Sequence, residues 1–141
     1  MSNLFGALNI AASGMTAERL RMDVTSDNLA NADSTTGANG LPYQRQEVVL
    51  QAAGGQSFAD VLGKTQAGVQ VAGIVNDPTP GRQVYDPSSP DANAQGYVTM
   101  PNVNTVTEMT DLITESRSYE ADTQAMTTAK QLYLKTLDLL R

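Results

Sequence analysis

The sequence predicts a mainly α fold: an antiparallel pair of long terminal helices, a coiled-coil hairpin, with a small β-containing, Pro-rich extended insert between them. Three observations carry this. Apolar residues recur every seven positions near both ends of the chain, two short stretches in the middle have strand character, and five of the six prolines fall between residues 76 and 104. A seven-residue apolar repeat keeps one stripe of a helix facing a partner. Prolines remove backbone donors and hold a segment extended or at a sheet edge.

The first element is the N-terminal heptad helix, within residues 3–33. Leu8, Met15, Met22 and Leu29 form the repeat, and Phe5, Ala12, Arg19 and Ser26 fill the complementary positions, Arg19 and Ser26 being its faults. Ser2 or Asn3 can cap the start, while Asn28, Asn31, Asp33 and the run Ser34-Thr35-Thr36-Gly37 supply stop and turn chemistry. Gly6 and Gly14 each weaken a helix by about 1 kcal/mol relative to Ala, so this helix is marginal in isolation.

The insert, residues 34–104, changes character. Pro42 to Gln51, with Val48-Val49-Leu50, reads as a strand, and Val69, Val71, Gly73 and Val75 suggest a second by alternation. Gln51 to Gly55 reads as a flexible Ala/Gly stretch, and Asn76 to Asn104 as extended chain. The C-terminal heptad helix, residues 105–141, has the stronger repeat: Leu112, Tyr119, Met126, Tyr133 and Leu140, with Met109, Ser116, Thr123, Lys130 and Leu137 as complement. Thr105-Val106-Thr107-Glu108 reads as a capping box, with the Thr105 hydroxyl taking an early backbone N–H and the Glu108 carboxylate returning to the N–H of the cap residue itself. Acidic residues near its start and Lys130, Lys135 and Arg141 near its end suit the macrodipole.

Composition removes most chemistry. With 141 residues, no Cys, no His, two Phe, five Tyr and no Trp, the chain offers neither thiolate nor imidazole and has few large core-filling rings. Fifteen acidic against nine basic residues give a net charge of -6, the wrong sign for a phosphate-neutralising surface, so no nucleic-acid partner is expected. Met1 to Ala17 is too polar for a signal-peptide core and lacks a basic leader. If the chain leaves the cytosol, the expected route is therefore one without a cleaved signal, and nothing approaches the roughly 20 apolar residues of a membrane span.

The acidic residues Asp111, Glu115, Glu120 and Asp122 are the remaining candidates for acid/base or cation chemistry. Without a third ligand, a Gly-rich loop or an aromatic platform beside them, they read as a solvated helix face. Asp77, Asp86 and Asp91 miss the calcium-loop spacing, and Gly37, Gly40, Gly54 and Gly55 match no phosphate-binding fingerprint and read as turns. The expectation is no enzyme activity, no cofactor, no metal and no small-molecule substrate. The heptad residues Leu8, Met15, Met22, Leu29, Leu112, Tyr119, Met126, Tyr133 and Leu140 read instead as the seam of an assembly. Met adapts to unlike neighbours there.

Specific motifs sharpen this. Ser26-Asp27-Asn28-Leu29-Ala30-Asn31-Ala32-Asp33-Ser34 resembles the N-terminal signature of bacterial flagellar rod, hook and hook-associated proteins, and Gly37-Ala38-Asn39-Gly40-Leu41-Pro42-Tyr43 is similar to a longer form found in the proximal rod. Pro101-Asn102-Val103-Asn104, Glu108-Met109 and Ser116-Arg117-Ser118-Tyr119 resemble the C-terminal block of that family. The resemblance implies a structural subunit of the basal-body proximal rod spanning the periplasm. It implies partners that include copies of itself, other rod proteins and the membrane-ring adaptor at the base, and passage through the flagellar type III export apparatus. A soluble coiled-coil adaptor or chaperone of that export pathway, or another rod subunit of the family, is the alternative served by the same helices.

Overall fold

The structure, a computed structural model, describes residues 2–37, 40–53 and 68–138, with side chains from Gly6 onward. Helix α1 runs Ser2–Ala30 and helix α2 runs Thr105–Asp138, close to the expected spans. Capping by Ser2 or Asn3 falls on side chains outside the described residues. Between the helices lie β1, Gln46–Ala53, β2, Gly68–Asn76, β3, Gln83–Tyr85, and β4, Tyr97–Thr99. They form two separate two-stranded antiparallel sheets, β1 with β2 and β3 with β4.

The helices pair antiparallel, so Asn28 lies beside Glu108, Thr25 beside Glu115 and Gly14 beside Asp122. Both β1 and β2 pack on α1; the Ser13 hydroxyl accepts the Val69 N–H at 3.1 Å and donates to the Ile10 carbonyl. A bulge between Val49 and Leu50 shifts the register of the first sheet, which increases its twist and lets it follow the helix. Of the stretch Gln51 to Gly55, expected to be flexible, Gln51 to Ala53 is instead paired strand, because its backbone groups find partners in Gly68 to Gln70; Gly54 and Gly55 lie outside the described residues.

The Pro-rich segment holds one hairpin that periodicity missed. At three residues each, β3 and β4 are too short to show alternation, and their connection is set by polar turns: Asp86 accepts from Ser88, Asn93 accepts from Gln95 and Tyr97, and Gly96 takes φ 81°. Asp77 and Asp86 serve local bonds, to Thr79 and Ser88, while Asp91 accepts the Thr35 hydroxyl from a distant part of the chain. Tyr85 and Tyr97 meet edge to face across the hairpin, ring centroids 5.3 Å apart.

The core is thin, as the scarcity of aromatic residues anticipates. Among the described residues its buried apolar members are Ala11, Ala17, Val24, Ala32, Val98 and Ala129. Small side chains leave room for polar groups between the helices: a Cβ at Gly14 would run into the Asp122 carboxylate. No described helix is long and apolar enough to cross a membrane.

Candidate functional site

Among the described residues, the most enclosed side chains are not apolar. Glu108 is fully buried and Asn28 is 1% exposed. The Asn28 amide donates to Glu108 Oε2 and to the Gln46 carbonyl, both at 2.9 Å, while its Oδ1 accepts the Tyr43 hydroxyl and the Gln46 N–H, both at 2.9 Å. Every donor on that side chain and both acceptor positions are used. Glu108 Oε1 accepts Arg45 Nε at 2.6 Å, and the guanidinium also reaches Glu47 and, at 3.7 Å, Asp111.

The backbone of the same region is tied by Asn102. Its Oδ1 accepts the Arg45 N–H at 2.8 Å and its Nδ2 donates to the Asp77 carbonyl, while the Asp77 N–H bonds back to the Arg45 carbonyl. Helix α1, the start of β1, the end of β2 and the start of α2 are thereby joined at one polar lock. A buried carboxylate is tolerable only when paired in this way. Burial works against the Arg45 charge, but the bonds to Glu108 and Glu47 outweigh it and raise its pKa above the ordinary value. The Tyr43 phenol is also raised, by burial first and then by the charges of Asp27 and Glu108.

This corrects two sequence expectations. The cap of α2 is Asn104, whose Oδ1 accepts from Val106 and Thr107. The Glu108 carboxylate, expected to close a capping box, is drawn to Asn28 and Arg45, where burial makes charged bonds far stronger than an exposed cap contact. The acidic face is the second correction. Glu120 is exposed, but Glu115 is 3% exposed and faces α1. Glu108, Glu115 and Asp122 repeat every seven residues along the contact with α1, and Ala129, the next in the series, is buried.

Glu115 is less well satisfied than Glu108. Its Oε1 accepts the Thr25 hydroxyl at 3.1 Å and lies 3.6 Å from Arg21 Nε, while its Oε2 is buried without a hydrogen-bond partner. Burial pushes its pKa up, opposed by the Thr25 bond and by Arg21 and reinforced by Asp111 and Glu18. It lines a polar cleft of about 300 Å³ with Arg21, Arg45, Glu47 and Asp111. Among the described residues, no group of three His, Cys, Asp or Glu could hold a metal ion.

The heptad residues occupy a third place. Leu8, Met15, Met22 and Leu29 of α1, and Leu112, Tyr119, Met126 and Tyr133 of α2, are all half-buried; Leu140 lies outside the described residues. They flank the helix contact rather than forming its centre, because alanine, glycine and the acidic stripe take the closest approach. Met15, Tyr119 and Met126 come together, with Val71 of β2, along a groove of about 570 Å³.

The signature residues divide accordingly. Asn28, Tyr43, Asn102 and Glu108 build the lock, Pro101 is buried beside it, and Val103 is half-buried. Asn104 caps α2, Asn31 bonds the Asp27 carbonyl at the end of α1, and Ser118 bonds the Thr114 carbonyl within α2. Leu29, Ser116 and Tyr119 are half-buried, whereas Ala30, Met109 and Arg117 are exposed. Arg45 and Gln46 were missed as site residues. Arg45 stood as a lone cation within the expected strand Pro42 to Gln51, with nothing to show which carboxylate it meets, and Gln46 acts through its backbone, which no side-chain pattern reveals.

Two family models match the chain in segments that this lock unites. One, described as flagella basal body rod protein, matches residues 8–38, and the other, flagellar basal body rod FlgEFG protein C-terminal, matches residues 94–139. The chain is 45% identical to the flagellar basal-body rod protein FlgC of Bacillus subtilis, over 96% of this chain and 97% of that one. It is 44% identical to the protein of that name from Yersinia enterocolitica, over 97% and 98%, and 43% identical to that from Salmonella typhimurium, over 96% and 97%.

The chain belongs to the flagellar basal-body rod protein family. Membership makes it a structural subunit and not an enzyme. The lock of this rod-family chain is accordingly a structural device: Asn28 lies in the first matched segment, Asn102 and Glu108 in the second, and Tyr43, Arg45 and Gln46 between them. Two segments far apart in sequence become one hairpin through them.

Proposed function

We propose that this chain is a subunit of the proximal rod of the flagellar basal body, packing its terminal helices against those of neighbouring subunits into a torque-transmitting shaft. On this reading residues 3–33 and 105–141 form one inner-tube helical domain, and residues 34–104 lie outside it. Its partners are copies of itself, other rod proteins and the membrane-ring adaptor at the rod base. It reaches the periplasm through the flagellar type III export apparatus, without a cleaved signal. Near-full-length identity to rod proteins supports this over an export adaptor or chaperone.

The observation that carries the assembly reading is the half-buried state of the heptad residues. Leu8, Met15, Met22, Leu29, Leu112, Tyr119, Met126 and Tyr133 retain apolar surface on one isolated hairpin, and together with Leu140 they supply the seam. A load shared over many such contacts suits a rotating tube, since each is individually weak.

Changing Met22 or Met126 to Asp tests it. Burying an unpaired carboxylate in a completed seam, with the loss of Met packing, costs about 2–5 kcal/mol. The expected outcome is an exported, soluble chain and no completed rod, read by cell fractionation and electron microscopy of basal bodies. Normal rods carrying either substitution would show that these stripes are not the seam.

A further inference from the structure

We propose that the groove beside Met15, Tyr119 and Met126 receives the last turns of α2 from a second copy of this chain. The proposal rests on the structural-subunit reading above and names one of its contacts. The groove is lined by apolar atoms of Met15, Leu20, Val71, Tyr119 and Met126, with Arg19 and Asp23 among its polar residues.

The last turns of α2 carry the matching surface. Leu134 and Leu137 are 50% and 40% exposed, and at a spacing of three residues they are neighbours on one helix face. Lys135 and Asp138 lie in the same turns. Arg19 and Asp23 are four residues apart on α1, so an antiparallel approach sets Lys135 opposite Asp23 and Asp138 opposite Arg19. Among the described residues none of these four is in an ion pair, so each charge is available for a partner.

The chain cannot satisfy its own groove in this way. Met126 and Leu137 sit on the same continuous helix, eleven residues and about 16 Å apart at 1.5 Å per residue. The leucines that enter must come from another copy. Because a helix antiparallel to α1 runs parallel to the resident α2, and Leu137 is offset by eleven residues from Met126, two copies cannot exchange tails reciprocally; the contact is head to tail, so each copy accepts one neighbour and enters the next. Such a contact propagates into a ring or a helical array rather than closing as a symmetric pair.

The absence of cysteine from the sequence makes the test clean. Met126→Cys and Leu137→Cys combined in one chain cannot bridge internally, since a disulfide needs Cα atoms within about 7 Å. In basal bodies from cells producing the double variant, mild oxidation should yield a ladder at multiples of the chain mass. Each single variant alone should stay at monomer mass, and the two co-produced should give dimers. Absence of the ladder, equal cross-linking by a single variant, or a cross-linked partner of another mass would overturn the proposal.

If the cysteines prevent rod formation, charge reversal decides. Asp23→Lys and Lys135→Asp should each cause loss of rods and of swimming, and together restore both; failure of the pair to restore them overturns the contact. If the unmodified chain is itself missing from purified basal bodies, the structural-subunit reading fails instead, and the two failures are thereby distinguished.

Discussion

The two ends of the hairpin differ in what their side chains leave unsatisfied. At the end where α1 stops and α2 begins, Asn28, Glu108 and Arg45 use their polar groups on one another, on Tyr43 and on the backbone of Gln46. At the other end of α2, Leu132, Leu134 and Leu137 face solvent. The closed end holds together a fold that has little apolar core. The open end leaves these leucines uncovered, and on the proposed assembly they are the surface that meets other chains. Local chemistry does not separate the two ends: Thr110, Thr114 and Ser118 near the start of α2, like Thr123, Thr127, Thr128 and Thr136 further on, return their hydroxyls to carbonyls of their own helix, a habit that slightly destabilises a helix along its whole length.

The largest expected effect is at the closed end. Glu108→Ala leaves the Arg45 guanidinium partly buried without its main partner and strands an Asn28 donor, which should cost about 3–5 kcal/mol. Leu137→Ala, compared in the same dilute sample by thermal and urea melts, should change stability by less than about 0.5 kcal/mol. Similar losses at the two sites would erase the distinction.

Gly81→Ala should come next. A Cβ there would run into the Met100 carbonyl oxygen, a backbone atom beside buried Pro101 that cannot swing away, so a loss of about 1–3 kcal/mol is expected. Hydrogen exchange at the Arg45 amide reports whether the damage reaches the lock, because that N–H is held by Asn102. Faster exchange there, with α2 beyond Met126 unchanged, would sharpen the contrast; unchanged exchange would disconnect Gly81 from the lock.

The smallest effect lies midway, at Glu115. Its folded pKa is raised above the unfolded value, chiefly by burial. The charged form is therefore the one that folding disfavours. The stabilising contribution of the protonated group is full below the ordinary carboxylate range and is lost as pH rises through the raised value. Glu115→Gln should accordingly gain stability relative to the parent chain at neutral pH, and the difference should shrink as the solution is acidified toward pH 4. A difference independent of pH in paired melting curves would mean that Glu115 does not titrate across folding.

Much of the fold was legible in the sequence. Heptads placed both helices, proline density marked the extended segment, and Val-rich stretches located β1 and β2, because each signal depends only on near neighbours in the chain. The motif residues Asn28, Tyr43, Asn102 and Glu108 were also singled out, but the lock they form was not. The capping-box reading of Glu108 and the solvated reading of Glu115 failed for one reason: a carboxylate looks the same in sequence whether its partner is water or a residue 80 or 90 positions away.

What the sequence determined by itself was therefore the helical hairpin, its extended insert, the shortage of core and the absence of thiol and imidazole chemistry. Only the tertiary structure decided which stripe of each helix faces the other. Periodicity favoured the larger apolar residues, yet Ala11, Gly14 and Ala17 permit the closer approach, and the acidic stripe of α2 finds its hydrogen bonds there. Methionine and tyrosine were moved to the flank because close packing and satisfied buried charge together outweigh what burying their larger surfaces at the centre would have contributed.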